Sequence, residues 1–156
     1  MQDQETRTLD ELLDGERTAM VVTADQRARP MTILDRDGSR LWFLTGRDAD
    51  WVQALPDNEI VAVVVSEPKD SLHVSLNGPA GFTDERDVLE RLWSKPMEAW
   101  FEGVDDPNLV ALHVDVEDGE YWDGPDSGIS RAIRGLTAVV TGEGQDAMGE
   151  QGDVAP

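Results

Sequence analysis

Cysteine is absent from this 156-residue chain. That excludes a disulfide framework, a thiol nucleophile and any thiolate-bound metal. Lysine is nearly absent as well: Lys69 and Lys95 stand alone, and every other cationic side chain is an arginine. The only histidines are His73 and His113, each on the less apolar face of an expected strand and without a carboxylate at helical ligand spacing. No H-E-x-x-H, G-x-S-x-G, phosphate loop or dinucleotide glycine fingerprint occurs. No apolar run approaches the ~20 residues of a membrane span. The stretch Met1 to Asp10 is too polar and acidic for a signal peptide, so a cytoplasmic protein is the expectation. A basic footprint is missing too. The net charge of -20 and pI near 4.1 argue against nucleic acid and anionic membrane as partners.

What the chain has in excess is acid. An acidic, lysine-poor surface suits a protein that stays soluble at high salt, where screening relieves self-repulsion. One stretch runs against this field. Between Arg27 and Arg47 lie five of the 13 basic residues (Arg27, Arg29, Arg36, Arg40, Arg47), opposed within the stretch only by Asp35 and Asp37. A cationic hairpin in an acidic protein reads either as a site for a small anion or as arginines decorating a solvated surface. Asp37-Gly38 between two β-prone runs marks the turn.

Along the chain, Thr8 and Glu11 predict a capping box for a short helix striped by Leu9, Leu12 and Leu13. Strands follow at Thr18 to Ala24, Arg29 to Asp35 and Leu41 to Thr45, with Pro30 suited to an edge. Asp48 is the expected cap of a helix over 49–55. Ile60 to Ser66 reads as a central strand buried on both faces. Ser71 to Phe82 is a long strand with Leu72, Val74 and Leu76 on one face and a bulge or bend at Asn77-Gly78. Val88, Leu89, Leu92 and Trp93 stripe the next helix, and Leu109 to Val116 is another strand, turning at Asp118-Gly119. A last helix is expected over 129–140. About six short strands in a meander, with short helices inserted, predict a mainly β architecture, a small antiparallel β-barrel. One domain over residues 1–141 and a disordered acidic, glycine-rich tail over 142–156 complete the expectation.

Five short motifs then fall in a telling order: Arg29-Pro30-Met31; Leu41-Trp42-Phe43-Leu44-Thr45; the run from Trp93 to Phe101; Asp105-Asp106-Pro107-Asn108-Leu109-Val110; and Glu120-Tyr121-Trp122-Asp123. In this order, over about residues 8 to 142, the chain resembles the general stress proteins of the pyridoxamine 5′-phosphate oxidase-like, FMN-binding split-barrel superfamily. The resemblance implies a six-stranded antiparallel Greek-key split barrel and a homodimer with FMN in the groove between subunits. It also implies oxidoreductase chemistry supplied by the flavin itself.

By that resemblance, Arg29, Pro30, Met31 and Thr32 form the strand whose backbone lies along the isoalloxazine. Phe43, Leu44 and Thr45 form the next strand bordering it. Where the family carries a Ser and a Lys that grip the phosphate, this chain has Ala49 and Trp51, and Arg29 and Arg47 stand as substitutes. Trp51 then either stacks on a ring or fills the site. Trp100 and Trp122 resemble aromatics that close the groove from the other subunit. No residue stands out as a general acid or base, and no metal site is expected. The alternatives are a cofactor-free or regulatory split-barrel stress protein and, third, a deazaflavin-binding one. Five tryptophans in so small a chain also favour a dimer, since one barrel has little room to bury them all.

Overall fold

A computed structural model describes residues 7–13, 17–69, 71–123 and 150–155. The expected helix over 129–140 lies outside the described residues. The chain enters through β1 (Arg7–Thr8) and helix α1 (Leu9–Leu12). The Thr8 hydroxyl accepts the Glu11 N–H and the Glu11 carboxylate accepts the Thr8 N–H. This reciprocal cap satisfies donors that a one-turn helix leaves open. Leu9, Leu12 and Leu13 turn inward and are buried.

The strands that follow are β2 (Arg17–Val22), β3 (Ala28–Ile33), β4 (Asp35–Asp37), β5 (Arg40–Gly46), β6 (Ile60–Glu67), β7 (Leu72–Thr83), β8 (Leu109–Asp115), β9 (Asp118–Asp123) and β10 (Glu150–Ala155). Between them lie α2 (Asp50–Ala54), α3 (Arg86–Leu92) and a 3-10 turn, Lys95–Ala99. Hydrogen-bonded neighbours run β3-β2-β6-β7-β8-β5-β4, all antiparallel. Because β4 continues β3 after a bend at Leu34, that path returns to its start. This is the antiparallel Greek-key split barrel.

Strand β7 makes the closure possible. It pairs with β6 along one edge, while its other edge pairs with β9 over Leu72 to Asn77 and with β8 over Ala80 to Thr83. The change of partner falls at Gly78, where a Cβ would stand 1.8 Å from the Asp115 carbonyl oxygen. Only a glycine lets the end of β8 approach so closely. The expected bend at Asn77-Gly78 is therefore the point where the sheet divides.

Inward-facing Val21, Ile33, Leu41, Phe43, Val63 and Leu76 fill the barrel together with α1. Each such side chain is worth ~1.5–3 kcal/mol on burial. The outer faces of β5 and β8 carry a second cluster, Trp42, Leu109 and Ala111, covered by Leu89 and Leu92 of α3.

Several expectations need correction. Arg29 to Thr32 do not pair with Leu41 to Thr45: β3 pairs with β2, and only β4 reaches β5. The connecting loop is Gly38-Ser39 rather than Asp37-Gly38, since Asp37 pairs with Arg40 and Gly38 takes φ +60°. Helix α2 is capped by Ala49 without a side-chain bond, not by Asp48. Strand β6 buries one face: Val61, Val63 and Val65 are inside, while Ile60 is 56% exposed. Its continuous apolar run hid an alternation. Asp118-Gly119 lies within β9, not in a turn. The tail is corrected in part. Glu150–Ala155 form β10, antiparallel to β9 and parallel to β1. Backbone hydrogen bonding to an open edge orders this segment, a signal that an apolar pattern does not carry.

Candidate functional site

The bend at Leu34 has a direct consequence. Among the described residues, β3 has a ladder partner on one side only, β2, and β5 pairs with β4 only over Arg40 to Trp42. Among the same residues, Arg29 to Thr32 of β3 and Phe43 to Thr45 of β5 each have one strand edge without a ladder partner. A strand edge without a ladder presents backbone N–H and C=O groups that call for another partner. The two stretches singled out in the sequence thus lie on β3 and β5, strands that approach one another without pairing.

Side chains on them divide by strand alternation. Arg29 and Met31 face one way, with Met31 packed against the core; Pro30 and Thr32 are exposed on the opposite face. Phe43 is fully buried, so any contact it makes with a ligand is through its backbone. Leu44 packs on the second cluster, and Thr45 is half-buried. The chain leaves β5 through Gly46-Arg47-Asp48, a loop held by Asn108. The Asn108 carbonyl accepts the Arg47 N–H at 2.7 Å, and its side-chain oxygen accepts the Asp48 N–H at 2.8 Å. Helix α2 follows and carries Trp51 back to the barrel, where it packs against the core. Its ring lies 6.3 Å from that of Phe82, and the Arg29 guanidinium sits 5.1 Å above its centroid.

Arg29 is tied down from below as well. One guanidinium nitrogen donates to the Thr23 hydroxyl at 2.7 Å, and the other to Asp25 Oδ2 at 2.8 Å. Thr23 in turn donates to Asp25 Oδ1 at 2.6 Å, and the Arg27 N–H reaches the same oxygen at 3.1 Å. The Arg29 guanidinium, then the Thr23 hydroxyl, then the Arg27 amide hold the Asp25 carboxyl well below the usual carboxylate range. Arg47 has a carboxylate partner too, Asp84 at 3.0 Å. It borders a groove of about 240 Å³ lined also by Arg86, Asp105 and Pro107.

The remaining predicted residues lie on other elements. Trp100, at the end of the 3-10 turn, is 77% exposed. Trp122, on β9, borders a groove of about 550 Å³ with Ser75, Asn77, Asp118, Glu120 and Asp153. His73 is exposed and bonds the Ser66 hydroxyl at 2.7 Å. His113 packs edge-on against Trp42. Among the described residues no cluster of His, Cys, Asp or Glu could hold a metal ion, and no helix is long and apolar enough to cross a membrane.

A family model described as pyridoxamine 5′-phosphate oxidase-like matches residues 4–146. The chain belongs to the pyridoxamine 5′-phosphate oxidase-like family. Within that family it is general stress protein 26-like. It is 28% identical over 123 residues to general stress protein 26 of Bacillus subtilis (strain 168), covering 75% of this chain and 86% of that one. A crystal structure from Jannaschia sp. CCS1, of the general stress protein 26 kind, superposes with a TM-score of 0.73 at 29% identity, covering 94% of each chain. A protein from Xanthomonas citri named a general stress FMN/FAD binding protein superposes with a TM-score of 0.64 at 31% identity, covering 71% of this chain and 82% of that one.

Asp25, Thr23 and Phe82 went unnoticed in the sequence. Only the register of β2 against β3 shows that the turn between them delivers a carboxylate to Arg29.

Proposed function

We propose that this chain binds a flavin, FMN by preference, in the split between β3 and β5 and serves as a dimeric general stress flavoprotein. The observation that carries the reading is the Arg29–Trp51 stack at the open edge of β3. A fixed guanidinium and an aromatic face on a strand whose second edge has no ladder partner among the described residues suit a planar, hydrogen-bonding, negatively charged ligand. The Xanthomonas citri relative, named for FMN/FAD binding, supports the same class of ligand.

The residues fit the ring better than they fit the phosphate. Backbone groups of Arg29 to Thr32 and Phe43 to Thr45 would hold the isoalloxazine edge. Arg29 and Arg47 would meet the phosphate, though each already holds a carboxylate. When bound, the flavin supplies reversible hydride or electron transfer. The protein holds the ring, sets its surroundings and excludes water.

A homodimer is part of the proposal. On the outer face of β2 and β6, opposite the buried valines, Met20, Val22, Ile60, Ala62 and Val64 form an apolar strip that is not fully buried. A second copy would cover it with an interface above roughly 2,000 Å² in total. In that dimer Trp100 and Trp122 approach the partner's split.

The specific observation favouring a cofactor-free or regulatory protein is the pairing of both arginines with carboxylates. Purification followed by an absorbance spectrum, FMN and riboflavin titrations and light scattering decides between them. Yellow protein with a flavin band, tighter binding of FMN than of riboflavin, and twice the 17.2 kDa mass support the proposal. Colourless monomer that binds neither flavin overturns it. A bound chromophore with a deazaflavin spectrum would change the ligand and leave the site.

A further inference from the structure

Arg29 does not stand as a bare cation. The carboxylate of Asp25 occupies one branch of its guanidinium, and this carboxylate is itself anchored independently of Arg29 by the Thr23 hydroxyl and the Arg27 amide. The Thr23 hydroxyl joins the two, accepting from Arg29 while donating to Asp25. Trp51 fixes the guanidinium plane from the other side. A ligand anion arriving at Arg29 therefore meets a negative charge already held within hydrogen-bond distance of the same nitrogen. Like charges so placed oppose one another unless solvent screens them.

Resting on the flavin reading of this same site, we infer that Asp25 is a built-in counter-anion of Arg29. It sets how strongly the split distinguishes a phosphorylated flavin from an unphosphorylated one. An incoming phosphate shares the guanidinium with Asp25 or displaces it. The isoalloxazine, bound through backbone edges and the aromatic face, is indifferent to the exchange. Mild acidification does not relieve the competition, because the three donors keep Asp25 ionised far below neutrality. Ionic strength and substitution are the remaining controls. The device belongs to a protein whose net charge of -20 disfavours anions over most of its surface, so the local balance at Arg29 decides whether one is held at all.

The test uses the full chain and titrates FMN and riboflavin against wild type, Asp25→Asn, Arg29→Ala and the double variant, across a series of salt concentrations. Asn at position 25 keeps the shape and an oxygen for the Thr23 hydroxyl while removing the charge. The expected result is that Asp25→Asn binds FMN several-fold more tightly at low salt, with riboflavin unchanged. Its FMN affinity also falls more steeply with salt than that of wild type. In the Arg29→Ala background the Asp25 substitution gives no gain, since the guanidinium for which the carboxylate competes is gone. As a second handle, Thr23→Val removes one anchor of Asp25 but keeps its charge, and changes FMN affinity less than Asp25→Asn does.

If wild type discriminates FMN from riboflavin but Asp25→Asn leaves FMN affinity unchanged or weakens it, the counter-anion inference falls and the flavin site stands. An equal gain for both flavins also overturns it. If neither flavin binds any variant, the flavin reading falls and takes this inference with it.

Discussion

The Arg29 site on β3 and the groove beside β9 lie on one sheet, but they arrange charge differently. In the split, Arg29 and Asp25 neutralise each other over the face of Trp51. In the groove, Asp118, Glu120 and Asp153 gather around Trp122 with no arginine or lysine in the lining among the described residues; Asp118 accepts the neutral Asn77 amide there. The first pairs opposite charges, whereas the second gathers charges of one sign. The comparison teaches that charge counted along the chain is not charge in space. Arg27 to Arg47 look strongly cationic in sequence, yet the fold brings Asp25 to Arg29, Asp84 to Arg47 and Asp115 to Arg40. The proposed anion recognition at Arg29 therefore rests on geometry and not on surplus charge.

The largest disruption removes the junction that keeps the two regions apart. Gly78→Ala drives a methyl group into the backbone of Asp115, so β7 can no longer serve both β8 and β9. A loss of about 3 kcal/mol in urea unfolding is expected, at the severe end of overpacking. Gly38→Ala, where nothing lies within 4 Å and only the positive φ objects, should cost about 1 kcal/mol. Equal losses would mean that the close approach at Gly78 is not what divides the sheet.

Next in size is Trp51→Ala. Half-buried against the core and under Arg29, Trp51 should be worth about 2 kcal/mol of stability, less than a fully buried aromatic. Its removal should also loosen both flavins, measured by titration. Trp122→Ala sharpens the comparison from the other side. Acting on a ring common to both ligands, it should weaken FMN and riboflavin alike by about 1 kcal/mol, leaving their ratio untouched. A change in the ratio would place Trp122 near the phosphate instead.

The smallest effect is on pH dependence. Burial, and then the Arg40 charge, holds the His113 imidazole below its ordinary value. The unfolded chain therefore takes up this proton near pH 6.5 while the fold resists it. His113 contributes stability fully above pH 6.5 and loses it as pH falls toward the folded value. Thermal melts across that range should slope less in His113→Gln. The carboxyl of Asp115, lowered chiefly by its bond to Arg40, acts lower: its contribution is present above about pH 4 and lost beneath it.

Much of the fold was legible because local rules agree with it. The Thr8–Glu11 box, the alternation of Leu72, Val74 and Leu76, and the stripe of α3 all appear where pattern places them. The resemblance singled out residues that lie on β3 and β5. What escaped reading was register. No local signal says that β3 bends at Leu34 and pairs with β2 instead of β5, or that β10 joins β9 across twenty-six undescribed residues, 124–149. Arg29, Arg47 and Trp51 could be named as candidates from the sequence, but their partners Asp25, Asp84 and Phe82 come from elements brought together only in three dimensions.

The central claim is that Arg29, stacked on Trp51 at the open edge of β3, recognises the phosphate of a flavin. The most direct measurement is the ratio of FMN to riboflavin affinity in wild type and in Arg29→Ala, titrated by fluorescence quenching at low salt. The account predicts that wild type prefers FMN by roughly 1.5–3 kcal/mol, the scale of a hydrogen bond to a charged group. It predicts that Arg29→Ala abolishes the preference while riboflavin affinity holds. An FMN preference that survives intact in Arg29→Ala, or a wild type that binds both flavins equally, would contradict it.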